Sequence, residues 1–146
     1  MRFYIGSDHA AIELRKEIAR HARERGHEIV AEIGPASEDE KADYPDVAVQ
    51  VCRKIATDDE GAYGLLLCGT GQGMAMSANR LRGIRAGVCA DTYSARMVRA
   101  HNDANVLCLG GRVVGPGLAA EIFDAFCATD FEGGRHERRV AKINSI

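Results

Sequence analysis

The amino-acid sequence predicts an α/β protein, a three-layer α/β/α sandwich built on a Rossmann-like, five-stranded parallel sheet. Five short apolar runs are near-continuous and partly β-branched, as expected of parallel strands that are covered on both faces. Longer segments between these runs carry apolar residues at spacings of three and four, which is typical of amphipathic helices. The alternation predicts the layers, whereas the order of the strands cannot be derived from it.

Each predicted strand is followed along the chain by a predicted helix. The apolar runs predict strands at 2–5, 27–33, 63–68, 84–90 and 105–110. The first helix follows the first strand, and Gly26 is a natural C-terminal stop for it. The apolar stripe of this helix consists of Ala11, Leu14, Ile18 and Ala22. Four basic residues lie away from the stripe, namely Arg15, Lys16, Arg20 and Arg23.

The second helix is predicted to begin at Pro45, because proline suits the first helical position. Its buried stripe consists of Val47, Val51 and Ile55. Further helices are predicted to begin near Gly73, Thr92 and Pro116, and the segment 133–146 is predicted to form a short terminal helix after a glycine pair.

Composition limits the classes of function. The chain has 146 residues, is 46% hydrophobic and carries a net charge of −2, which predicts one domain and makes nucleic acid or an anionic membrane an unsuitable partner. The apolar stretch after Met1 is too short for a signal peptide or a membrane span, so a cytoplasmic protein is expected. No CxxC or paired Cys/His spacing of a zinc site occurs, and the five cysteines are predicted to be free thiols.

A glycine-rich loop follows the third predicted strand, in the segment CGTGQGM (68–74). It lacks the lysine of a P-loop, its glycine spacing differs from a dinucleotide fingerprint, and Met74 stands where a cysteine phosphatase needs arginine. A glycine turn that opens a helix presents free N–H groups to a phosphate or an oxyanion, although it can also be a tight turn and nothing more. Cys68 at its mouth is a candidate base or nucleophile, because a helix N-terminus stabilises a thiolate.

Ligands of open parallel sheets bind at the carboxyl ends of the strands. Polar residues follow the predicted strands at Asp8–His9, Asp91 and Arg112, although Asp8 could be an ordinary helix N-cap. His101–Asn102 end the fourth helix, where a histidine can also simply cap the helix dipole.

Arg135 and Arg139 would share a helix face, either in solvent or around a phosphate. Together with Cys68 and the glycine turn, these residue types suit proton transfer on a small phosphorylated substrate.

Six ordered segments resemble the ribose-5-phosphate isomerase B family, whose wider group includes the galactose-6-phosphate isomerase subunits. They are GSDHAA, DYPDVA, CGTGQGM, GIRAGVC, YSARMVRAHNDANVLCLGGRVVG and FEGGRHERRV. The resemblance implies an aldose–ketose isomerase of ribose 5-phosphate and ribulose 5-phosphate that needs neither a metal nor an organic cofactor. It covers the chain nearly end to end.

The resemblance also implies roles for single residues. Cys68 matches the base that moves the proton between C2 and C1 through a cis-enediolate, Thr70 helps to position the sugar oxygens, and His101 opens the furanose ring. The amides of Gly69–Gly73 match the anion hole. The remaining substrate ligands that the resemblance implies are Asp8, His9, Gly69, Gly71, Gly73, Asn102, Arg112, Arg135 and Arg139, with the arginines chiefly on the phosphate.

The same resemblance implies that the site lies between two subunits of a homodimer or a homotetramer, with the segment 133–146 contributing to the phosphate site and to dimer contacts. Two alternatives stay open on the sequence. One is a related isomerase of allose 6-phosphate, galactose 6-phosphate or a tetrulose phosphate, and the other is a sugar-phosphate-binding protein without catalysis.

Overall fold

The sheet has the predicted five parallel strands. A computed structural model describes residues 1–58 and 61–146. Its strands are Arg2–Ser7 (β1), Glu28–Ile33 (β2), Tyr63–Cys68 (β3), Ala86–Val88 (β4) and Val106–Gly110 (β5). Their order across the sheet is β2-β1-β3-β5-β4, and every neighbouring pair is parallel. The strand β3 therefore lies at the centre, between β1 and β5.

The fourth strand is shorter than the predicted 84–90. It lies at the edge of the sheet, and among the described residues it pairs only with β5. The N–H of Arg85 donates to the side-chain oxygen of Asn105 at 2.8 Å, and the N–H of Ala86 donates to that of Asn79 at 2.8 Å. Side chains thus take the place of a neighbouring strand at the start of β4, and the regular ladder is confined to three residues.

The helices alternate with the strands as predicted. They are Ile12–Glu24 (α1), Tyr44–Arg53 (α2), Gln72–Ala78 (α3), Thr92–Asn102 (α4), Pro116–Cys127 (α5) and Arg135–Asn144 (α6), and a π-helical turn, Lys54–Asp58, continues α2. Gly26 follows α1 at a φ of +81°, which confirms the predicted stop, because glycine adopts this conformation without a Cβ clash. None of the helices within the described ranges has the length and apolar content needed to cross a bilayer.

Two apolar clusters, one on each face of the sheet, confirm the three layers. Along β3, Leu65 and Leu67 pack with residues of α1, α4 and α5, whereas Leu66 and Cys68 pack with residues of α2 and α3. This division follows from right-handed crossovers, because the direction of each crossover along the sheet selects the face on which its helix lies. The helices that follow β1 and β3 therefore lie on opposite faces.

Arg15 departs from the expected pattern of α1. The periodicity places it away from the apolar stripe, yet it is buried. Its guanidinium donates to Ser7 Oγ at 3.1 Å and to the carbonyl oxygens of Ile33 and Pro35 at 3.2 and 2.9 Å. Arg15 thereby joins the end of β1 to the loop after β2, and its burial is compensated by these acceptors.

Candidate active site

A crevice is expected at the carboxyl end of β3. The chain leaves β1 and β5 toward one face of the sheet and leaves β3 toward the other. Such a reversal separates the loops on either side of a strand and forms the ligand site of open α/β sheets. Cys68, the last residue of β3, lies at this point.

The Cys68 side chain is 5% exposed, and it lies at the edge of the cluster that faces α2 and α3. The N–H of Gly71 donates to its sulfur at 3.2 Å. A donor aimed at the sulfur compensates negative charge there. The thiol is thus held at the mouth of the glycine loop by the loop itself.

The other four cysteines lie in apolar surroundings. Burial raises the pKa of Cys52 to about 12, that of Cys89 to about 11 and that of Cys127 to about 12. Burial also raises the pKa of Cys108 well above its ordinary value. All five cysteines are free, as predicted, and these four thiols are kept protonated.

Backbone conformation explains Gly71 of the loop, and close approaches explain Gly73 and the neighbouring Gly110. Gly71 has a φ of +79° immediately before α3, a conformation that favours glycine. A Cβ on Gly73 would lie 2.5 Å from the ring of Tyr44, so the absent side chain lets that ring approach the loop. Gly110, at the end of β5, would in the same way place a Cβ 2.8 Å from the Thr70 backbone.

The loops after β1 and β5 flank Cys68. Asp8 is not an N-cap, because α1 begins at Ile12; its carboxylate accepts instead from the N–H of Ala10 at 2.9 Å. The Nδ1 atom of His9 is buried and has no hydrogen-bond partner among the described residues, which leaves it available to a ligand. On the other side, the N–H of Arg112 donates to the Gly69 carbonyl at 3.0 Å.

Asp91 has a structural role. Its carboxylate accepts from the N–H of Ser94 at 2.7 Å and from the Ser94 hydroxyl at 2.7 Å, which makes it the N-cap of α4. These hydrogen bonds lower the pKa of Asp91. Its position after a strand therefore reflects helix capping.

His101 and Asn102 lie at the amino ends of the strands, which we call the amino edge of the sheet. Cys68 lies at the carboxyl ends of the strands, which we call the carboxyl edge. The helix α4 starts after β4 and runs back to the start of β5, so its last turn is at the amino ends of the strands. The carbonyl of Asn105 accepts from Gly64 near the start of β3, at 2.8 Å. The length of β3, about 16 Å at 3.3 Å per residue, separates this edge from Cys68.

The end of α4 is held firmly. Arg85 donates to the Asn102 carbonyl at 3.1 Å and pairs with the Asp103 carboxylate at 2.9 Å. Arg99 pairs with the same carboxylate at 2.9 Å from inside the fold. A groove of about 730 Å³ runs along this edge, and Arg85 and Asn102 line it.

The chain before α6 returns to His101. The N–H of Glu132 donates to the carbonyl of Ala100 at 3.0 Å, and the rings of His101 and His136 stack at 4.3 Å with an interplanar angle of 5°. Arg135 Nε donates to His136 Nε2 at 3.3 Å. Burial, together with the nearby His101 and Arg135, lowers the pKa of His136.

The residues predicted for the site therefore form two groups within one chain. One lies at the carboxyl edge and comprises Asp8, His9, Cys68, Gly69, Thr70, Gly71, Gly73 and Arg112. The other lies at the amino edge and comprises His101, Asn102, Arg135 and Arg139.

Sequence reasoning missed three neighbours of these groups. Tyr44 lies against the glycine loop, and Glu132 and His136 lie against His101. The only sequence signal was their position inside the matched segments DYPDVA and FEGGRHERRV.

The fold and the carboxyl-edge group define a Rossmann-like protein with a thiol and a glycine loop at a topological switch point. The family described as Ribose/Galactose Isomerase matches residues 3–143, and the chain belongs to this family. It is 45% identical over 141 residues to ribose-5-phosphate isomerase B of Escherichia coli, covering 97% of this chain and 93% of that protein.

Two further relatives extend the comparison. The structure of Clostridium thermocellum ribose-5-phosphate isomerase B superposes with a TM-score of 0.94 at 45% identity, covering 99% of this chain and 96% of that one. The D-erythrulose-4-phosphate isomerase of Pectobacterium atrosepticum is 44% identical, covering 95% of this chain and 90% of that protein.

Proposed function

We propose that this protein is an aldose–ketose isomerase that interconverts D-ribose 5-phosphate and D-ribulose 5-phosphate. The observation that carries the proposal is the Cys68 sulfur, held 3.2 Å from the Gly71 N–H at the switch point of the sheet. Membership of the isomerase family, and 45% identity to a ribose-5-phosphate isomerase B, support this choice of reaction.

Cys68 acts as the base. Its thiolate removes the proton from C2 of the open-chain aldose, and a cis-enediolate forms with its negative charge on the C1 oxygen. The hydroxyl proton then passes from the C2 oxygen to the C1 oxygen, and the thiol, whose proton exchanges with solvent, returns a proton to C1 as the carbonyl forms at C2. Enolisation needs a base and stabilisation of the oxygen that becomes negative. The amides of Gly69, Gly71 and Gly73 hold that oxygen, and Thr70 positions the sugar hydroxyls.

His101 opens the furanose ring before enolisation by donating a proton to the ring oxygen, while the anomeric hydroxyl loses its proton to water and becomes the C1 carbonyl. Asp8, His9 and Asn102 bind the sugar oxygens, and the unpartnered Nδ1 of His9 supports its part in this. The phosphate binds to the arginines, whose forked donors suit it. These are Arg112, Arg135 and Arg139.

Two copies of the chain form each site. Cys68 and His101 lie at opposite edges of one sheet, about 16 Å of strand apart. Both groups can act on one small sugar if the carboxyl edge of one copy faces the amino edge of another. A homodimer with two equivalent sites satisfies this arrangement, and the segment 133–146 then brings its arginines to the partner's thiol.

The test of the base is isomerisation of ribose 5-phosphate followed by NMR in D2O. Cys68→Ser should lose about 10²–10⁴ in turnover and lose deuterium incorporation at the sugar carbons. Cys127→Ser, a second thiol outside the crevice, should match the wild type. An active Cys68→Ser variant would refute the role of the sulfur, and a wild type that binds the sugar without exchange would be a binding protein.

The test of the shared site is complementation. Cys68→Ser and His101→Asn chains should each be inactive, whereas co-expressed chains should recover about a quarter of the wild-type rate, since half of the dimers are mixed and each mixed dimer has one intact site. No recovery in a purified mixed dimer would refute the shared site.

A second candidate is isomerisation of another phosphosugar. The 44% identity to a D-erythrulose-4-phosphate isomerase favours a four-carbon substrate as the alternative. The two candidate reactions are distinguished by kcat/KM measured for each phosphosugar. The substrates to compare are ribose 5-phosphate, erythrulose 4-phosphate, allose 6-phosphate and galactose 6-phosphate.

A further inference from the structure

Three possible metal ligands converge at the amino edge of the sheet. His101 lies in the last turn of α4, His136 lies in the first turn of α6, and Glu132 lies in the segment between α5 and α6. One donor atom from each lies within 4.8 Å of the other two. We propose that this His101–Glu132–His136 cluster binds a divalent transition-metal ion of the zinc class.

The donor set selects the class of ion. Two imidazoles and one carboxylate, with a fourth position for water, are a common zinc set, whereas magnesium and calcium take oxygen ligands. Each histidine Nε2 lies 3.7 Å from Glu132 Oε2. Tetrahedral bonds of about 2.0–2.1 Å place neighbouring ligand atoms about 3.3–3.4 Å apart, so the two histidine–glutamate distances need to close by only a few tenths of an ångström. The ligand atoms of the two histidines lie within 4.8 Å of each other, so that distance closes by up to about 1.4 Å.

The two imidazole rings must also change their relative orientation. They are nearly parallel, at 5°, and parallel planes cannot both contain one metal ion. The His101 side chain is 35% exposed and can tilt, while the His136 side chain is only 6% exposed and stays in place. Metal binding therefore opens the stack by moving His101.

The lone pair on His136 Nε2 already points toward a donor. Arg135 Nε donates to this atom at 3.3 Å, so the ring carries its proton on Nδ1 and presents Nε2 as an acceptor. Arg135 is exposed on the single chain, so its guanidinium can turn away from Nε2 when a metal ion takes its place.

The charges around the cluster set the affinity that we expect for the metal ion. The Glu132 carboxylate offsets one positive charge, whereas Arg135 and Arg139 oppose the approach of a cation. We expect a reversible site that is weaker than a structural zinc centre, which has four protein ligands.

The test is competition for Zn²⁺ between the purified protein and a chromophoric chelator at pH 7.5. The wild type should bind one ion per chain, and Glu132→Gln and His136→Asn should each weaken binding at least about tenfold. Glu132 is exposed, so its variant tests the site even if His136→Asn disturbs α6. His21→Asn is the matched control, since the His21 ring pairs with Asp124 at 2.8 Å and is not one of the three ligands.

Cys68→Ser shows whether the active-site thiol is the ligand instead. The proposal requires this variant to bind zinc as the wild type does. Three results would each overturn the proposal. They are wild-type zinc affinity in both Glu132→Gln and His136→Asn, loss of zinc binding in Cys68→Ser, and no zinc binding by the wild type at 1 mM zinc.

A consequence for activity rests on the proposed function. If His101 opens the sugar ring, zinc on its Nε2 withdraws that acid, and isomerisation should stop on adding zinc and return with a chelator. Zinc that binds at the cluster without slowing isomerisation leaves the metal site in place and refutes the role of His101.

Discussion

Gly110→Ala tests whether the glycine loop must keep its position for activity. Gly110 ends β5, in register with Cys68 on β3. An added Cβ would lie 2.8 Å from the Thr70 backbone, whereas ordinary contact starts at 3.4 Å. Because the obstacle is main chain rather than the end of a flexible side chain, the loop itself must move.

The size of the effect follows from this contact. The loop has to shift by about 0.6 Å to restore ordinary contact. A misplacement of about 1 Å can cost about 10²-fold in rate, so we expect kcat/KM to fall between about 10- and 100-fold. Overpacking of this kind should also destabilise the fold by about 1–3 kcal/mol.

The assay is isomerisation of ribose 5-phosphate, with thermal unfolding measured in parallel. Gly117→Ala in α5 is the matched control, because its Cβ would meet nothing within 4 Å. It should keep full activity, with stability unchanged or raised by up to about 1 kcal/mol. Wild-type kcat/KM in a folded Gly110→Ala protein would refute the argument that the loop's position limits catalysis.

Three further predictions concern stability and substrate binding. Arg15→Met should destabilise the fold by about 3 kcal/mol in denaturant unfolding, because buried carbonyls lose their donor, whereas exposed Lys16→Met should change little. Burial, and then the N-terminal ammonium, lower the pKa of His27. The free energy of unfolding should therefore fall as the pH drops below about 6.5, and His27→Gln should reduce this loss. Arg139→Ala should raise KM for the phosphosugar, whereas neighbouring Arg138→Ala should not.

Each of these has an outcome that would contradict it. Equal unfolding free energies for Arg15→Met and Lys16→Met would show that the guanidinium bonds contribute nothing. The predicted direction at His27 follows because, as the pH falls, the unfolded chain binds a proton at His27 at a higher pH than the folded chain does. A wild type whose free energy of unfolding rises on acidification would contradict it. An unchanged KM in Arg139→Ala would remove that arginine from the phosphate site.

Much of the fold was predictable because its signals are local. The stripe of Leu14 and Ile18 predicted a helix, and the apolar run of β3 predicted its limits, 63–68, without error. The edge strand was predicted too long, because its apolar run does not show that side chains outside the run, those of Asn79 and Asn105, replace its neighbour. The burial of Arg15 was missed because two of its acceptors, the carbonyls of Ile33 and Pro35, are 18 and 20 residues away in the sequence.

The candidate site was predictable in its residue types but not in its arrangement. Cys68 and its glycine loop are contiguous, so one segment of sequence contained both the thiol and the amide that contacts it. His101 looked like a neighbour of Cys68 only by resemblance, and the structure places it at the other edge of the sheet. Single-domain organisation and the roles of the site residues stay predictions.

Local sequence was enough to predict the presence of each helix and strand and the thiol at the start of a glycine turn, because each depends on residues that are near one another in the chain. Tertiary structure alone decided the strand order, and the strand order decides which loops meet at a crevice. It also decided that His101 stacks on His136. Contacts of this kind depend on how the elements pack, and packing joins residues whose separation along the chain carries no local signal.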